Sequence, residues 1–143
     1  MVLPGIQALF GFQLIAVFNA RFKEDLSVFD QRVHLAAISL VALAVALVMT
    51  PAAYHRRHGS RDVTETFIHI SSLLLLASMV PLAIGLALDF YIIVNLILQD
   101  ERIAIGAGIA LCAIFVAFWF VFPGAHRLHA RLASLRERHT GDK

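Results

Sequence analysis

Four long apolar segments divide the chain, each close to the roughly 20 residues that a helix needs to cross a bilayer. They run from about Leu3 to Ala20, Phe29 to Ala53, Thr64 to Leu98 and Ile103 to Phe122. A spanning backbone must satisfy its hydrogen bonds within each segment or in a closed barrel, and the alternation typical of barrel strands is absent. The pattern therefore predicts an all-α fold, a bundle of four transmembrane helices in one integral membrane domain over residues 1–143.

The third segment is longer than a perpendicular span requires. At about 1.5 Å per residue, Thr64 to Leu98 would reach roughly 50 Å, whereas the hydrocarbon core is about 30 Å thick. Pro81 and Gly85 mark the point at which a kink would fall. The sequence therefore predicts one long kinked helix, with the residues after about Asp89 near or above the outer membrane interface.

Composition and charge support a membrane protein and argue against one that binds nucleic acid. Hydrophobic residues make up 59% of the chain, charged residues make up 15%, and the mean hydropathy is +0.79. Soluble domains are about 45–50% apolar and roughly 25% charged. The net charge of +2 comes from basic residues that lie beside the apolar segments. We therefore expect these residues to face anionic lipid headgroups, and we expect no nucleic-acid partner.

The distribution of lysine and arginine predicts the orientation of the helices. The loop between the second and third helices and the basic tail over residues 123–143 together carry eight such residues, and the opposite side carries four. The positive-inside rule places the basic side, and with it both termini, in the cytoplasm. Leucines at helical spacing from His126 to His139 predict a short amphipathic C-terminal helix on the lipid surface. The basic residues expected to face lipid are Arg56, Arg57, Arg61, Arg127 and Arg131.

Asp89 is the one carboxylate in the interior of an apolar segment, away from the segment ends, and is the leading candidate for chemistry. An ionisable group at membrane depth costs about 2.5–3.5 kcal/mol on insertion scales, so it is usually paired or functional. The second helix enters from the same side with Arg32 and His34, the first helix ends there at Arg21, and Gln13 lies about two turns deeper. We expect these residues to form a polar cluster. It can serve as a proton or cation site, or as a structural ion pair near the headgroups.

Small and polar side chains mark helix faces that pack together or line a pathway, because lipid solvates large apolar side chains as well as protein does. Ser71, Ser78 and Gly85 follow one face of the third helix at heptad spacing, with Asp89 one turn beyond. Such stripes suit an internal bundle or contacts between copies, and we expect a homo-oligomer. The other two stripes are Ala36, Ser39, Ala42, Ala46 and Thr50 on the second helix, and Gly106, Ala110, Ala113 and Ala117 on the fourth.

Metal, haem and enzymatic chemistry have weaker support. Two H-x-x-H pairs on the basic side could bind a transition metal, but the surrounding arginines disfavour a cation and favour a lipid-facing surface. The two histidines inside helices lie at different depths, which disfavours haem. Catalytic signatures are missing from the sequence. We therefore expect no metal, no cofactor and no enzymatic activity. The H-x-x-H pairs are His55 with His58, and His126 with His129.

Three stretches resemble a family of small bacterial four-helix membrane proteins known as a domain of unknown function. They are VLPGIQALFGFQ near the start, PAAYHR from Pro51 and VPLAIGLALD from Val80. The resemblance covers nearly the whole chain. It implies a multi-pass protein of the bacterial cytoplasmic (inner) membrane with the same four-helix layout. It implies no activity and assigns no role to any residue.

Three functions from different classes remain open. The first is a small oligomeric ion- or proton-conducting module that uses Asp89, His34, Gln13 and the Ser71/Ser78 face. The second is a structural or accessory subunit that binds a partner protein or anionic lipid without transport. The third, a metal- or haem-binding protein, has the least support in the sequence.

Overall fold

The computed structural model describes residues 3–19, 21–58 and 65–122, and over these residues the protein is all-α. This confirms the predicted all-α class. In chain order the elements are α1 (Leu3–Val17), α2 (Phe22–Asp25), α3 (Val28–His58), α4 (Glu65–Leu98), α5 (Glu101–Val116) and a π-helix, π1 (Ala117–Val121). In the described part of the chain, three segments are long and apolar enough to cross a membrane. They are Val28–Tyr54, Phe67–Leu98 and Glu101–Val121.

The first apolar segment forms a shorter helix than the sequence predicted. Helix α1 ends at Val17, and Phe18 and Asn19 turn the chain through hydrogen bonds to Ile15 and Ala16. Its 15 residues reach about 22 Å at 1.5 Å each, less than the roughly 30 Å of a hydrocarbon core. The described residues therefore contain four apolar helices, α1, α3, α4 and α5, but a fourth membrane span and the orientation that depends on it stay predictions.

Helix α3 continues beyond its predicted end and contains a proline. The predicted end was about Ala53, whereas α3 runs to His58 with Pro51 inside it. A proline removes one backbone hydrogen bond and strains the turn before it, but it does not have to end a helix whose neighbouring bonds are intact. The Thr50 hydroxyl adds a bond at this point by donating to the carbonyl of Ala46 at 2.8 Å. Helix α4 likewise runs unbroken past Pro81, and its predicted kink stays a prediction.

Side-chain caps decide where α3 and α5 begin. Ser27 accepts from the backbone N–H of Asp30 at 3.1 Å and donates to its carboxylate at 2.6 Å, a reciprocal arrangement like a capping box. The Asp100 carboxylate accepts from the N–H groups of Arg102 and Ile103. Helix α5 therefore begins at Glu101, two residues before the predicted Ile103. Between α4 and α5, Gln99 adopts a left-handed φ of 53°, which lets two residues connect two long helices.

Replacing Asp100 with alanine should lower the free energy of unfolding by about 1 kcal/mol, because two N–H groups at the start of α5 lose their acceptor. Glu101→Ala is the matched control, since it removes a carboxylate from the same turn but leaves the cap. Thermal or SDS-induced unfolding in detergent measures both variants. Equal effects of the two substitutions would assign the stabilisation to charge near the helix start and not to the cap.

Helices α3 and α4 form the main packing interface, with α5 against α4 and α1 against α3. Small and β-branched side chains fill the interface, as is usual for helices that associate in lipid. The buried apolar residues are Ile6, Ala37, Ile38, Val41, Ala44, Ala83, Ala87, Ile92 and Ala104. Two predicted contact stripes are not part of this core: Ala36, Ser39, Ala42, Ala46 and Thr50 are exposed, and so are Gly106, Ala110, Ala113 and Ala117. On α3 the buried face is offset by about one residue from the predicted stripe, which corresponds to a rotation of about 100° around the helix axis.

Large apolar side chains cover the outside of the bundle. In the apolar 18-residue stretch of each of the three long segments, only 22, 28 and 11% of the residues are buried within the protein. Leu35, Leu73 and Ile109, on α3, α4 and α5, are each at least 60% exposed. A surface of this kind is unfavourable in water and suits the interior of a lipid bilayer. The distribution of apolar residues therefore indicates membrane insertion.

Candidate functional site

The structure brings together a buried cluster formed by Gln13, His34 and Asp89, from α1, α3 and α4 respectively. His34 Nδ1 lies 2.8 Å from Asp89 Oδ1, and His34 Nε2 lies 3.2 Å from the backbone carbonyl of Gln13. The Gln13 side-chain amide donates to Asp89 Oδ2. The side chains of His34 and Asp89 are 10% and 17% exposed. We call these three residues the polar cluster.

The hydrogen-bond pattern determines how many protons the polar cluster holds. A backbone carbonyl only accepts, so His34 Nε2 must carry a hydrogen to bond with Gln13. One further proton completes the bond between Nδ1 and Asp89 Oδ1, carried by the imidazole in an ion pair or by the carboxyl in a neutral pair. Both forms have zero net charge. Losing this proton would set two lone pairs against each other and leave a buried negative charge, which is unfavourable.

Local structure holds the imidazole in place. The turn after α1 leads into the short helix α2, whose Phe22 ring lies 5.4 Å from the His34 ring, centroid to centroid. The Asn19 side chain stabilises the turn by accepting from the backbone N–H of Arg21 at 3.1 Å. His34 is therefore held on one side by Phe22 and on the others by Gln13 and Asp89.

The two arginines expected in the cluster lie outside it. Arg21 and Arg32 are exposed, and the ion pair that Asp89 forms in the described part of the chain is with His34. On α3, Arg32 is two positions from His34, so its side chain projects from a different face of the helix. This difference matters chemically, because an arginine stays charged whereas a histidine can release its proton.

The face of α4 that carries Ser71, Ser78 and Gly85 serves mainly for packing near the cluster. A Cβ on Gly85 would lie 3.1 Å from the Ala37 carbonyl oxygen and 3.1 Å from a methyl of Val41, so α3 and α4 are in close contact one turn from Asp89. Ser78 is buried and donates to the carbonyl of Leu75 at 2.6 Å. The Ser71 hydroxyl is buried and has no hydrogen-bond partner within residues 3–19, 21–58 and 65–122.

One cavity adjoins the polar cluster, and a second cavity that shares part of its wall differs from it in character. An apolar cavity of about 510 Å³ has all three cluster residues in its wall. A polar cavity of about 550 Å³ lies at the α2–α3 and α4–α5 turns. Leu26, Ile92 and Leu96 line both cavities. The residues with polar side chains around the second cavity are Asp25, Ser27, Asp30, Tyr91, Asn95, Gln99 and Glu101.

Sequence reasoning missed the polar cavity and the buried carboxylate beside it. Asp30 is 8% exposed, and its Oδ1 has no hydrogen-bond partner in the part of the chain that the structure describes. The signal was present in the sequence, since Ser27 and Asp30 have capping-box spacing immediately before an apolar segment. Among the described residues, no group of three His, Cys, Asp or Glu side chains is arranged to hold a metal ion.

Much of the predicted lipid-facing basic surface lies outside the described residues. Arg56 is exposed in the last turns of α3, and the backbone of Arg57 belongs to the same helix. Arg61, Arg127, Arg131 and the tail over 123–143, with its predicted amphipathic helix, fall outside the described ranges. Their role stays a prediction.

Comparison with protein families identifies the family to which the chain belongs. The family described as "Family of unknown function (DUF6328)" matches residues 1–123. The chain belongs to DUF6328. The match includes every described helix and confirms the resemblance to a family of small helical proteins that carries no assigned function. Comparisons with curated proteins and with solved structures gave no match for this chain.

Proposed function

We propose that the protein is a non-enzymatic proton-transfer module of the bacterial cytoplasmic membrane, and that the polar cluster of Gln13, His34 and Asp89 is its proton site. The observation that carries the proposal is the His34–Asp89 pair, with 2.8 Å between Nδ1 and Oδ1, among helices whose outer surfaces are apolar. A buried titratable pair in a membrane segment is costly to maintain and is usually functional.

The partner of Asp89 supports proton exchange over a permanent ion pair. With Arg21 or Arg32 as partner, the carboxylate would stay paired to a fixed charge, but both arginines are exposed and outside the cluster. The proton between His34 Nδ1 and Asp89 Oδ1 can be passed on and replaced, which the fixed charge of an arginine does not allow. The polar cavity shares Leu26, Ile92 and Leu96 with the cavity at the cluster and would give water and protons an approach from one side.

The proposal includes an orientation and an assembly. We place both termini in the cytoplasm, with four spans, because the basic residues are concentrated in the loop after α3 and in the tail. Arg56 and its neighbours would then face anionic lipid. We propose a homo-oligomer, because the exposed stripes of small residues on α3 and α5 allow helices of two copies to approach closely. Helices α3 and α4 pack closely at Gly85, which leaves little space for a proton path between them within one chain. We therefore place the proton path along the contact between two chains.

Proteoliposomes with an imposed pH gradient and a pH-sensitive dye test proton transfer. Wild-type protein should dissipate the gradient, whereas Asp89→Asn should reduce the flux to the level of protein-free vesicles, because an amide cannot exchange the proton. Arg32→Gln is the matched control, since it removes a nearby charge that lies outside the cluster, and its flux should match that of wild type. Equal flux in wild type and Asp89→Asn, or no flux in either, would contradict the proposal.

A second candidate is an accessory subunit without transport. It is favoured by the exposed small-residue stripes on α3 and α5, which suit another membrane protein as well as a second copy. Crosslinking in native membranes followed by mass spectrometry separates the two. A homo-oligomer gives crosslinks between copies of this chain, and an accessory subunit gives crosslinks to one other protein in fixed proportion.

A further inference from the structure

We infer that the apolar cavity at the polar cluster binds a neutral, lipid-soluble phenol, meaning an aromatic ring that carries a hydroxyl group and an apolar tail. This inference goes beyond the proposed proton site, since binding requires no transport. The cavity volume of about 510 Å³ is within the usual range for sites of small organic ligands.

The wall of the cavity selects for an apolar, aromatic molecule. Residues of all five α-helices contribute to it, and most of their side chains are hydrocarbon. Four of them are phenylalanines, which pack favourably against an aromatic ring in offset or edge-to-face arrangements. These four are Phe12, Phe22, Phe90 and Phe115.

The polar part of the wall selects for a hydrogen-bond donor. Both nitrogens of His34 and both oxygens of Asp89 have partners. The Gln13 amide nitrogen donates to Asp89, but Gln13 Oε1 is buried without a partner among the described residues, in a residue that is 5% exposed. An unsatisfied buried acceptor is costly, and a ligand hydroxyl reaching it after a small side-chain adjustment would remove that cost. A neutral donor suits this position better than an ammonium group, because the His34–Asp89 pair already has zero net charge.

The surrounding surface favours a ligand that arrives from lipid. Phe12, at the rim of the cavity, is 72% exposed, and the neighbouring surface of the helices is apolar. A lipid tail alone would fit the apolar wall but would leave Gln13 Oε1 unpaired. The hydroxyl group is therefore the feature that distinguishes the inferred ligand from bulk lipid.

Fluorescence of Trp119, the single tryptophan of the chain, gives a binding assay. Phe115 lines the cavity and stacks on Trp119 at 4.7 Å between ring centroids, so a brominated ligand in the cavity should quench the tryptophan. The probes are 2-bromo-4-dodecylphenol and its methyl ether, titrated into the purified full-length protein in nanodiscs without a pH gradient. Wild type should bind the phenol about 5- to 10-fold more tightly than the ether, the ratio expected from one hydrogen bond.

Two variants and one control locate the site. Gln13→Met should abolish the preference for the phenol, because it removes the acceptor but keeps the length of the side chain. Ala16→Phe fills the cavity and should abolish saturable quenching by both probes, whereas Ile15→Phe, beside it on α1 but outside the cavity wall, should leave it unchanged. Circular dichroism and size-exclusion chromatography establish which variants fold.

Equal affinity of wild type for phenol and ether would overturn the inference and indicate occupancy by lipid tails. Unchanged quenching in Ala16→Phe would place the ligand elsewhere and would overturn it as well. If Gln13→Met fails to fold, the wild-type comparison and the pair of α1 variants still decide the question. Binding without flux would leave the ligand site standing and remove the proton-transfer proposal, and flux without binding would do the reverse.

Discussion

Replacing His34 with leucine should lower the free energy of unfolding by about 3 kcal/mol, because the substitution leaves Asp89 buried beside Gln13 without its titratable partner. The His34 and Asp89 side chains are both largely buried, so water replaces little of the lost interaction. Asp89→Leu should cost less, since the remaining imidazole can stay neutral. SDS-induced unfolding in mixed micelles measures each variant.

The double variant His34→Leu/Asp89→Leu tests the origin of that loss. It should be more stable than His34→Leu alone, because a second leucine replaces the unpaired carboxylate and fills the space that the carboxylate occupied. Arg32→Leu serves as control, since Arg32 is exposed and outside the cluster, and it should unfold within about 0.5 kcal/mol of wild type. A double variant no more stable than the single would show that the pair does not couple α3 to α4 in the folded protein.

Gly85→Leu should destabilise the protein by about 2 kcal/mol, because α3 leaves no space for a side chain at this position. Its Cβ would lie 3.1 Å from the backbone carbonyl oxygen of Ala37, which cannot turn away as a flexible side chain would. Overpacking of this kind typically costs about 1–3 kcal/mol. The loss should exceed the gain in helix propensity of up to about 1 kcal/mol that follows replacement of a glycine.

Gly11→Leu is the matched control and should have the opposite sign. Gly11 lies within α1, and among the described residues a Cβ there meets nothing within 4 Å, so the substitution keeps the gain in helix propensity without a clash. SDS-induced unfolding compares the two variants directly. If both were equally stable, the close contact between α3 and α4 at Gly85 would be wrong.

Residue types and their spacing predicted the class of fold and the outline of the helices. Continuous apolar segments leave few alternatives to helices, and the predicted ends of the third segment agree with α4 to within one residue. The same reasoning found Asp89, because a lone carboxylate is conspicuous in an apolar segment. It also placed His34 toward the same side of the membrane as Asp89 and Gln13 about two turns deeper than Arg21, since helices of known rise and direction align residues by their distance from the helix ends.

Other features depended on contacts that the sequence does not display. The caps at Ser27 and Asp100 set the starts of α3 and α5, and α3 passes Pro51 because the surrounding hydrogen bonds hold. Helix α1 ends at Val17, where Phe18 and Asn19 turn the chain back toward α2. Each of these outcomes depends on local hydrogen bonds. The free energies of ending and of continuing the helix differ little at these positions, so such bonds decide between them.

Tertiary structure alone decided which faces of the helices meet and which residue pairs with Asp89. In a soluble helix an apolar stripe identifies the inner face, but here lipid and protein interior are both apolar, so that signal is missing. The buried face of α3 is therefore the one with Ala37, Val41 and Ala44, not the neighbouring stripe of small residues. The rotation that buries this face also turns His34 toward Asp89 and leaves Arg32 exposed, so Asp89 pairs with a histidine and not with an arginine.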